Sequence, residues 1–307
     1  MKKLLSKHLS VLLPIAIILG TSFYSQADDY HYADVNRDNE VNIADVNAVI
    51  DAILGLGQID TISPIDPPAP IETKTYVFNG VSFTMVQVEG GTFEMGATAE
   101  QDSQLTWADE YPTHQVTLST FSIGATEVTQ ALWLAVMDTL PCRFKNDLML
   151  PVESVSWNDC QEFISRLNAQ TGMNFRLPTE AEWEFAARGG NRSKGYQFSG
   201  SNDINAVAWW GYGYGGNSNY STNRVAQKLP NELGIYDMSG NVWEWCQDWY
   251  RGYSGEAQTN PTGPLSGQYR IYRGGSWNND SKFCRVSFRY NNKPDTRLTS
   301  VGLRLAL

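Results

Sequence analysis

Composition and periodicity predict an α+β fold that is irregular and rich in loops. Aromatic residues form 12% of the 307-residue chain and charged residues only 18%, a balance that favours aromatic packing over a helical bundle. The 26 glycines and the short periodic runs, some alternating and some at helical spacing, leave few long regular elements. After Gly190 the chain is rich in Gly, Asn and Trp. That half must be held by side-chain packing, buried polar bonds or ions rather than by long ladders.

The first segment reads as a signal peptide over 1–27. Lys2, Lys3 and Lys7 precede an apolar run from Leu9 to Leu19, and Ser25-Gln26-Ala27 offers small residues for cleavage before Asp28. The run is short for a membrane span, so an uncleaved anchor is the weaker reading. Export to the periplasm, cell surface or medium is expected. Removing 1–27 takes three of the 23 basic residues and no acid, leaving 20 against 33 and a net charge of −13. Such a surface repels phosphate backbones and attracts divalent cations, so nucleic acid is not an expected partner.

Residues 28–56 carry a calcium-loop pattern, the basis for expecting a small EF-hand-like loop-helix at the N-terminus. Asp34, Asn36, Asp38, Asn42 and Asp45 place oxygen side chains at positions 1, 3, 5, 9 and 12, and Glu40 supplies the carbonyl of position 7. Position 6, where the backbone usually has positive φ, is Asn39. Val46, Val49, Ile50, Ile53 and Leu54 then fall on one helical face, and Gly55 stops it. The terminal Asp45 and this helix resemble a dockerin repeat. Only one repeat is present, which leaves its apolar stripe open to a cohesin-like or other protein partner, or to the main domain. Residues 57–74, with Pro64, Pro67, Pro68 and Pro70, read as a stiff linker.

The main domain is expected over 75–307. Thr75–Val88 alternates like strands entering the Gly90-Gly91 turn, and Val116, Leu118 and Phe121 suggest another strand. A helix is expected from Thr126 to Asp138. A second is expected to be capped by Asn158, with Cys160, Phe163, Ile164 and Leu167 on its face. A third is capped by Thr179 with Glu182 closing a capping box, and Gly189 ends it. Glu180, Glu182 and Glu184 on that helix are expected to be solvated.

Ordered motifs run through nearly all of this region. They are Val88–Gly96, Pro112-Thr-His114, Glu127-Val-Thr129, Pro151–Asp159, Phe175–Gly190, Asn231–Trp245, Arg273-Gly-Gly-Ser-Trp277 and Val301-Gly-Leu-Arg304. Together they resemble the formylglycine-generating-enzyme, or sulfatase-modifying-factor, family. The resemblance implies a fold related to C-type lectins. It also implies very different functions on that fold, so the fold alone does not settle activity.

In the family's oxidases, two cysteines five residues apart hold Cu(I). Cys284 falls on the second of these positions and Asn279 on the first. Soft thiolates suit Cu(I) and a neutral amide does not, so copper is not expected. The preferred reading is a non-oxidase member that binds a peptide, glycan or protein in a cleft around Ser276, Trp277, Asn279 and Trp243. The alternative is an oxidoreductase, of the formylglycine-generating type or with altered chemistry, in which Cys284 is catalytic. The resemblance also implies a second calcium site, with Asp237 and Glu244 binding through side chains and Gly240 and Val242 through carbonyls; Glu244 paired with an arginine is the competing reading.

The four cysteines, Cys142, Cys160, Cys246 and Cys284, allow three disulfide pairings in an exported chain, and a disulfide or core thiol is the favoured reading of Cys284. None sits in a CxxC, and only His31 and His114 follow residue 27, so zinc is not expected. His114 is expected to be a hydrogen-bonded structural residue.

Overall fold

The computed structural model describes residues 70–101, 104–212 and 215–307. The expected signal segment, the calcium loop and the linker as far as residue 69 lie outside the described residues. The described region opens with β1 (Thr73–Phe78) and β2 (Val81–Val88), joined by Asn79-Gly80 with φ of 46° and 80°. Positive φ at both central residues is the geometry a tight hairpin requires, and Asn-Gly supplies it. β5 (Phe121–Gly124) pairs with β2 to complete an antiparallel sheet.

A second sheet joins β3 (Gly91–Met95) to β4 (His114–Leu118), with β7 (Gln258–Thr259) parallel to β4. The third has the order β10-β6-β8-β9, built from β6 (Trp243–Trp249), β8 (Arg270–Arg273), β9 (Arg289–Asn292) and β10 (Val301–Leu303). β10 lies parallel to β6, and the β6–β8 register shifts between Trp245 and Trp249. Four α-helices complete the fold among the described residues: α1 (Gln130–Met137), α2 (Trp157–Thr171), α3 (Glu180–Ala187) and α4 (Ile204–Val207). The result is a mixed α and β architecture with three sheets and few helices. None of the described helices is long and apolar enough to cross a membrane.

Two helix starts differ from expectation. α1 begins at Gln130 rather than Thr126, because Thr129 is the cap and its hydroxyl accepts from Leu132 N–H. The residues before it are extended, with the Val128 N–H bonded to the Leu303 carbonyl. α2 is capped by Ser156, not Asn158. Ser156 Oγ accepts from Asp159 N–H at 3.1 Å, and the Asp159 carboxylate accepts from Ser156 N–H at 2.8 Å. The reciprocal pair satisfies two otherwise free donors. α3 starts after Thr179 with Glu182 closing the box, and Gly189 follows it at φ 91°.

One core cluster packs α1 and α2 against β2 and the third sheet, with Trp133 and Phe163 stacked at 4.9 Å. Another packs α3, through Trp183 and Phe185, under β2, β3 and β4. The loops of the second half are pinned by four arginines that are 0–1% exposed: Arg273, Arg285, Arg289 and Arg304. They pair with Glu184, Glu110, Glu180 and Glu244 respectively. Glu180, Glu182 and Glu184 are therefore not solvated, contrary to the expectation drawn from the helix alone. All three are buried, and Glu182 is clamped by Arg176 through two bonds of 2.6 and 2.7 Å. Arg289 and Arg273, distant in sequence, supply partners for Glu180 and Glu184 that a helical repeat cannot reveal.

Candidate functional site

The turn that follows β8 brings together most of the residues expected to form a cleft. Gly274 and Gly275 have φ of 99° and 73°, a backbone that side chains rarely adopt. A Cβ on Gly275 would lie 2.6 Å from Cys284 Sγ, so only glycine lets the thiol rest on this backbone. Ser276, fully buried, touches both family positions. Its backbone N–H reaches the Cys284 thiol, and its hydroxyl lies 2.8 Å from Asn278 Oδ1 and 2.5 Å from Asn279 Oδ1. Asn279 Oδ1 also accepts from Trp243 Nε1 at 2.8 Å. The amide at the first family position is thus fixed by an indole and a hydroxyl.

Cys284 has no exposed surface and sits with Phe198 and Val207 in a small apolar cluster. Burial, with Asp280 nearby, pushes its thiol up to about 12. It is a neutral thiol at physiological pH and a poor nucleophile. The other cysteines lie in different clusters, Cys142 and Cys160 in one and Cys246 in another. All four are free and buried, so Cys284 is a core thiol and not half of a disulfide. Burial raises Cys142 to about 11 and puts Cys160 and Cys246 well above the usual thiol range.

Two aromatic groups flank the Asn278–Asp280 turn. Trp277 is 3% exposed; its ring contacts Phe144, Tyr212 and Tyr220, and its Nε1 donates to the Thr299 carbonyl. Tyr212 and Tyr220 are 44% and 50% exposed, and Arg143 donates to the Tyr220 hydroxyl at 3.0 Å. On Trp243 pack Tyr272, Phe288 and Tyr290, and Phe288 in turn meets the exposed Trp107. Trp243 and Trp277 are therefore buried supports, and the rim that faces solvent is Tyr212, Tyr220, Tyr290 and Trp107. Tyr220, Tyr290 and Trp107 lie outside the stretches read from the sequence.

The residues expected to hold a second calcium ion are near one another but unequally engaged. Both Glu244 oxygens accept from Arg304, at 2.6 and 2.8 Å, and Oε2 also accepts from Trp183 Nε1. Asp237 Oδ2 accepts from Ala226 N–H, while its Oδ1 is buried with no partner. Glu127, absent from the expected set, joins them: it accepts from Asn241 Nδ2 and Val242 N–H. Burial, reinforced by Asp237 and Glu244, lifts Glu127 well above the carboxylate range, and burial lifts Asp237 to about 6. Three buried carboxylates thus face one guanidinium. Among the described residues no three His, Cys, Asp or Glu side chains converge on one point as a metal cage would require. The set fits a cation only through Asp237 Oδ1 and backbone carbonyls, with Glu244 already committed to Arg304.

His114 is 5% exposed, and its Nδ1 lies 3.3 Å from the Pro112 carbonyl, in accord with a structural, hydrogen-bonded residue.

The sulfatase-modifying factor enzyme 1-like domain matches residues 79–307. The chaperone protein LppX of Paenibacillus barcinonensis is 33% identical over 254 residues, covering 68% of this chain and 83% of that protein. The formylglycine-generating enzyme of Streptomyces coelicolor is 36% identical over 169 residues, covering 51% of this chain and 52% of that enzyme. The chain thus spans about half the length of that enzyme. Among solved structures, Treponema denticola variable protein 1 matches with a TM-score of 0.68 and 32% identity, over 76% of this chain and 98% of that one.

Proposed function

The chain belongs to the sulfatase-modifying factor enzyme 1-like family, and from that premise we propose that it is an exported binding member that does not carry out the family's oxidation. One observation carries the reading: Asn279 stands where the first thiolate would be, and its carboxamide oxygen is held by Trp243 and Ser276. Its intended partner Cys284 is a buried neutral thiol with no second sulfur in its cluster. A Cu(I) ion needs soft donors, and one protonated thiol beside an amide does not supply them.

The rim of Tyr212, Tyr220, Tyr290 and Trp107, with Arg143 and the Asn278–Asp280 turn, has the residue types that dominate protein interfaces. We take its ligand to be a polypeptide. The chaperone name of the LppX relative agrees with a protein partner. A glycan stacking on the same rings is the competing outcome.

A Cys-x-Pro-x-Arg peptide incubated with the protein, copper, oxygen and a thiol reductant tests the reading. The expected mass spectrum shows only unconverted peptide. Loss of the cysteine sulfur with appearance of an aldehyde would establish the oxidase alternative, with Cys284 catalytic.

Calcium belongs to the same proposal, at the Asp34–Asp45 loop and, through Asp237 with the Gly240 and Val242 carbonyls, in the main domain. A dockerin-like unit then offers its helix to a cohesin-like or other receptor. Raising calcium from chelated to millimolar levels should increase the melting temperature of a chain truncated to the main domain. An unchanged melting curve removes calcium from that domain. Export predicts a mature N-terminus at Asp28, and detection of Met1 on the secreted protein would contradict it.

A further inference from the structure

A cavity of about 480 Å³ opens away from the Ser276–Cys284 turn. Its walls include His114 of β4, Glu180 of α3, Asp248 near the end of β6 and Arg289 of β9, with Tyr253 and the 261–264 loop closing it. The volume lies in the range of small-ligand sites. The loop is Pro261-Thr-Gly-Pro264, with a proline at each end. Gly263 presses so close that a Cβ there would lie 3.0 Å from Asp248 Oδ1.

The polar groups of the wall are unequally satisfied. Glu180 is saturated, by Arg289 at 2.8 and 2.6 Å and by Arg273 at 3.4 Å. Asp248 is 5% exposed, and its Oδ2 accepts from the Glu180 N–H at 2.9 Å. No cationic group of the described residues pairs with it. The two arginines whose charge reaches it are held elsewhere. Arg289 is bound to Glu180, and Arg270 lies between the Trp157 and Trp249 rings at 3.8 and 3.5 Å while donating to the Gln247 carbonyl. A buried carboxylate without a counter-charge is expensive unless a cation or a proton joins it. In the ligand-free protein a proton does so: burial, with Glu180 and Glu182 adding to it, raises Asp248 to about 7.

His114 supplies a second acceptor. The Pro112 carbonyl at 3.3 Å assigns the proton to Nδ1, which leaves Nε2 as an acceptor. Its ring packs on Tyr253 at 4.7 Å, and Trp249 lines the same cavity. The wall therefore offers a carboxyl with no cationic partner and an imidazole acceptor; Arg289 already covers the Tyr253 ring at 4.0 Å and Arg270 the Trp249 ring at 3.5 Å, and Arg251 lines the same cavity.

The geometry points to a second ligand site, in which this cavity takes the ammonium group of a primary amine, with Asp248 facing its charge and His114 Nε2 accepting a hydrogen bond. Charge pairing with Asp248 and hydrogen bonding favour that group over a neutral or anionic one. The amine can be a free small molecule or the terminus of a peptide. The site is independent of the Asn279 turn, so it stands or falls separately from the binding reading above.

Calorimetric titration of the full chain at pH 8 tests it with three probes: propylamine, glycyl-glycinamide and N-acetyl-glycinamide. Binding of propylamine alone identifies a free small amine, and tighter binding of the dipeptide amide identifies a peptide terminus. In either case the acetylated probe gives no binding heat. Asp248→Asn, whose amide oxygen can still accept from Glu180, should weaken the amine at least about tenfold. The unmutated protein should show a loss of similar size between pH 8 and pH 5. Over that range Asp248 takes up a proton in a setting that includes Glu180, Glu182, Arg289, Arg270 and His114. That pH series decides the matter if the variant does not fold. No amine binding at about 10 mM, equal binding of the acetylated probe, or an unchanged affinity in folded Asp248→Asn would each overturn the proposal.

Discussion

Two sets of buried carboxylates sit within one domain, and they are treated differently. Glu110, Glu180 and Glu184 each meet arginine guanidinium groups at close range. Asp248 has no such partner, and Glu127 and Asp237 share Arg304 with Glu244. The first set is a framework: each charge is cancelled, and the pair ties a loop to a helix or strand. The second set carries surplus negative charge, which protons or cations must offset. Compensated burial fixes structure, and uncompensated burial leaves a charge for a proton or a cation to offset.

The sharpest way to break the comparison is to remove half of a framework pair. Arg285 bonds both Glu110 oxygens and spans 175 residues of sequence. Arg285→Ala should cost about 3–5 kcal/mol in urea unfolding, because it leaves Glu110 buried and unpaired. A loss below about 1 kcal/mol would show that these pairs are not the framework.

The effect expected at the uncompensated set has a pH signature. Asp248 is raised from 3.8 to about 7 in the folded chain. A raised carboxyl contributes most below its unfolded value, and that contribution is lost as pH rises from about 4 through about 7. Asp248→Asn has no such loss. Its stability relative to the parent should improve by up to about 4 kcal/mol between pH 4 and pH 8. Parallel pH–stability curves for the two proteins would contradict the assignment.

The least effect is expected where a pair is exposed. Arg166 and Glu162 on α2 lie 2.7 Å apart but are 46% and 54% exposed. Arg166→Ala should change stability by about 0.3–0.5 kcal/mol, and less at high salt. A change comparable with that of Arg285→Ala would erase the distinction between buried and exposed pairing.

The sequence showed some of this and hid the rest for identifiable reasons. Thr179 with Glu182 announced α3, because a capping box is local in sequence. The hairpin alternation before Gly90 was visible for the same reason. The start of α1 was not, because Val128 is drawn into an extended bond with Leu303, 175 residues away. Arg289 and Arg273, which pair with Glu180 and Glu184, lie 109 and 89 residues distant, although Glu184 also meets Arg188 four residues on. Motif order placed Ser276, Asn279, Cys284 and Trp243 in one neighbourhood, and the fold brings them there. It gave no sign of Tyr220 and Tyr290 in the exposed rim, nor of the cavity at Asp248. Both are assembled from segments with no common motif.

The central claim is that the Asn279 turn cannot hold copper, and X-ray absorption after anaerobic Cu(I) loading addresses it most directly. The expected result is no stoichiometric copper, and no copper–sulfur scattering that depends on Cys284. One equivalent of Cu(I) coordinated by two sulfurs, lost in Cys284→Ser, would contradict it.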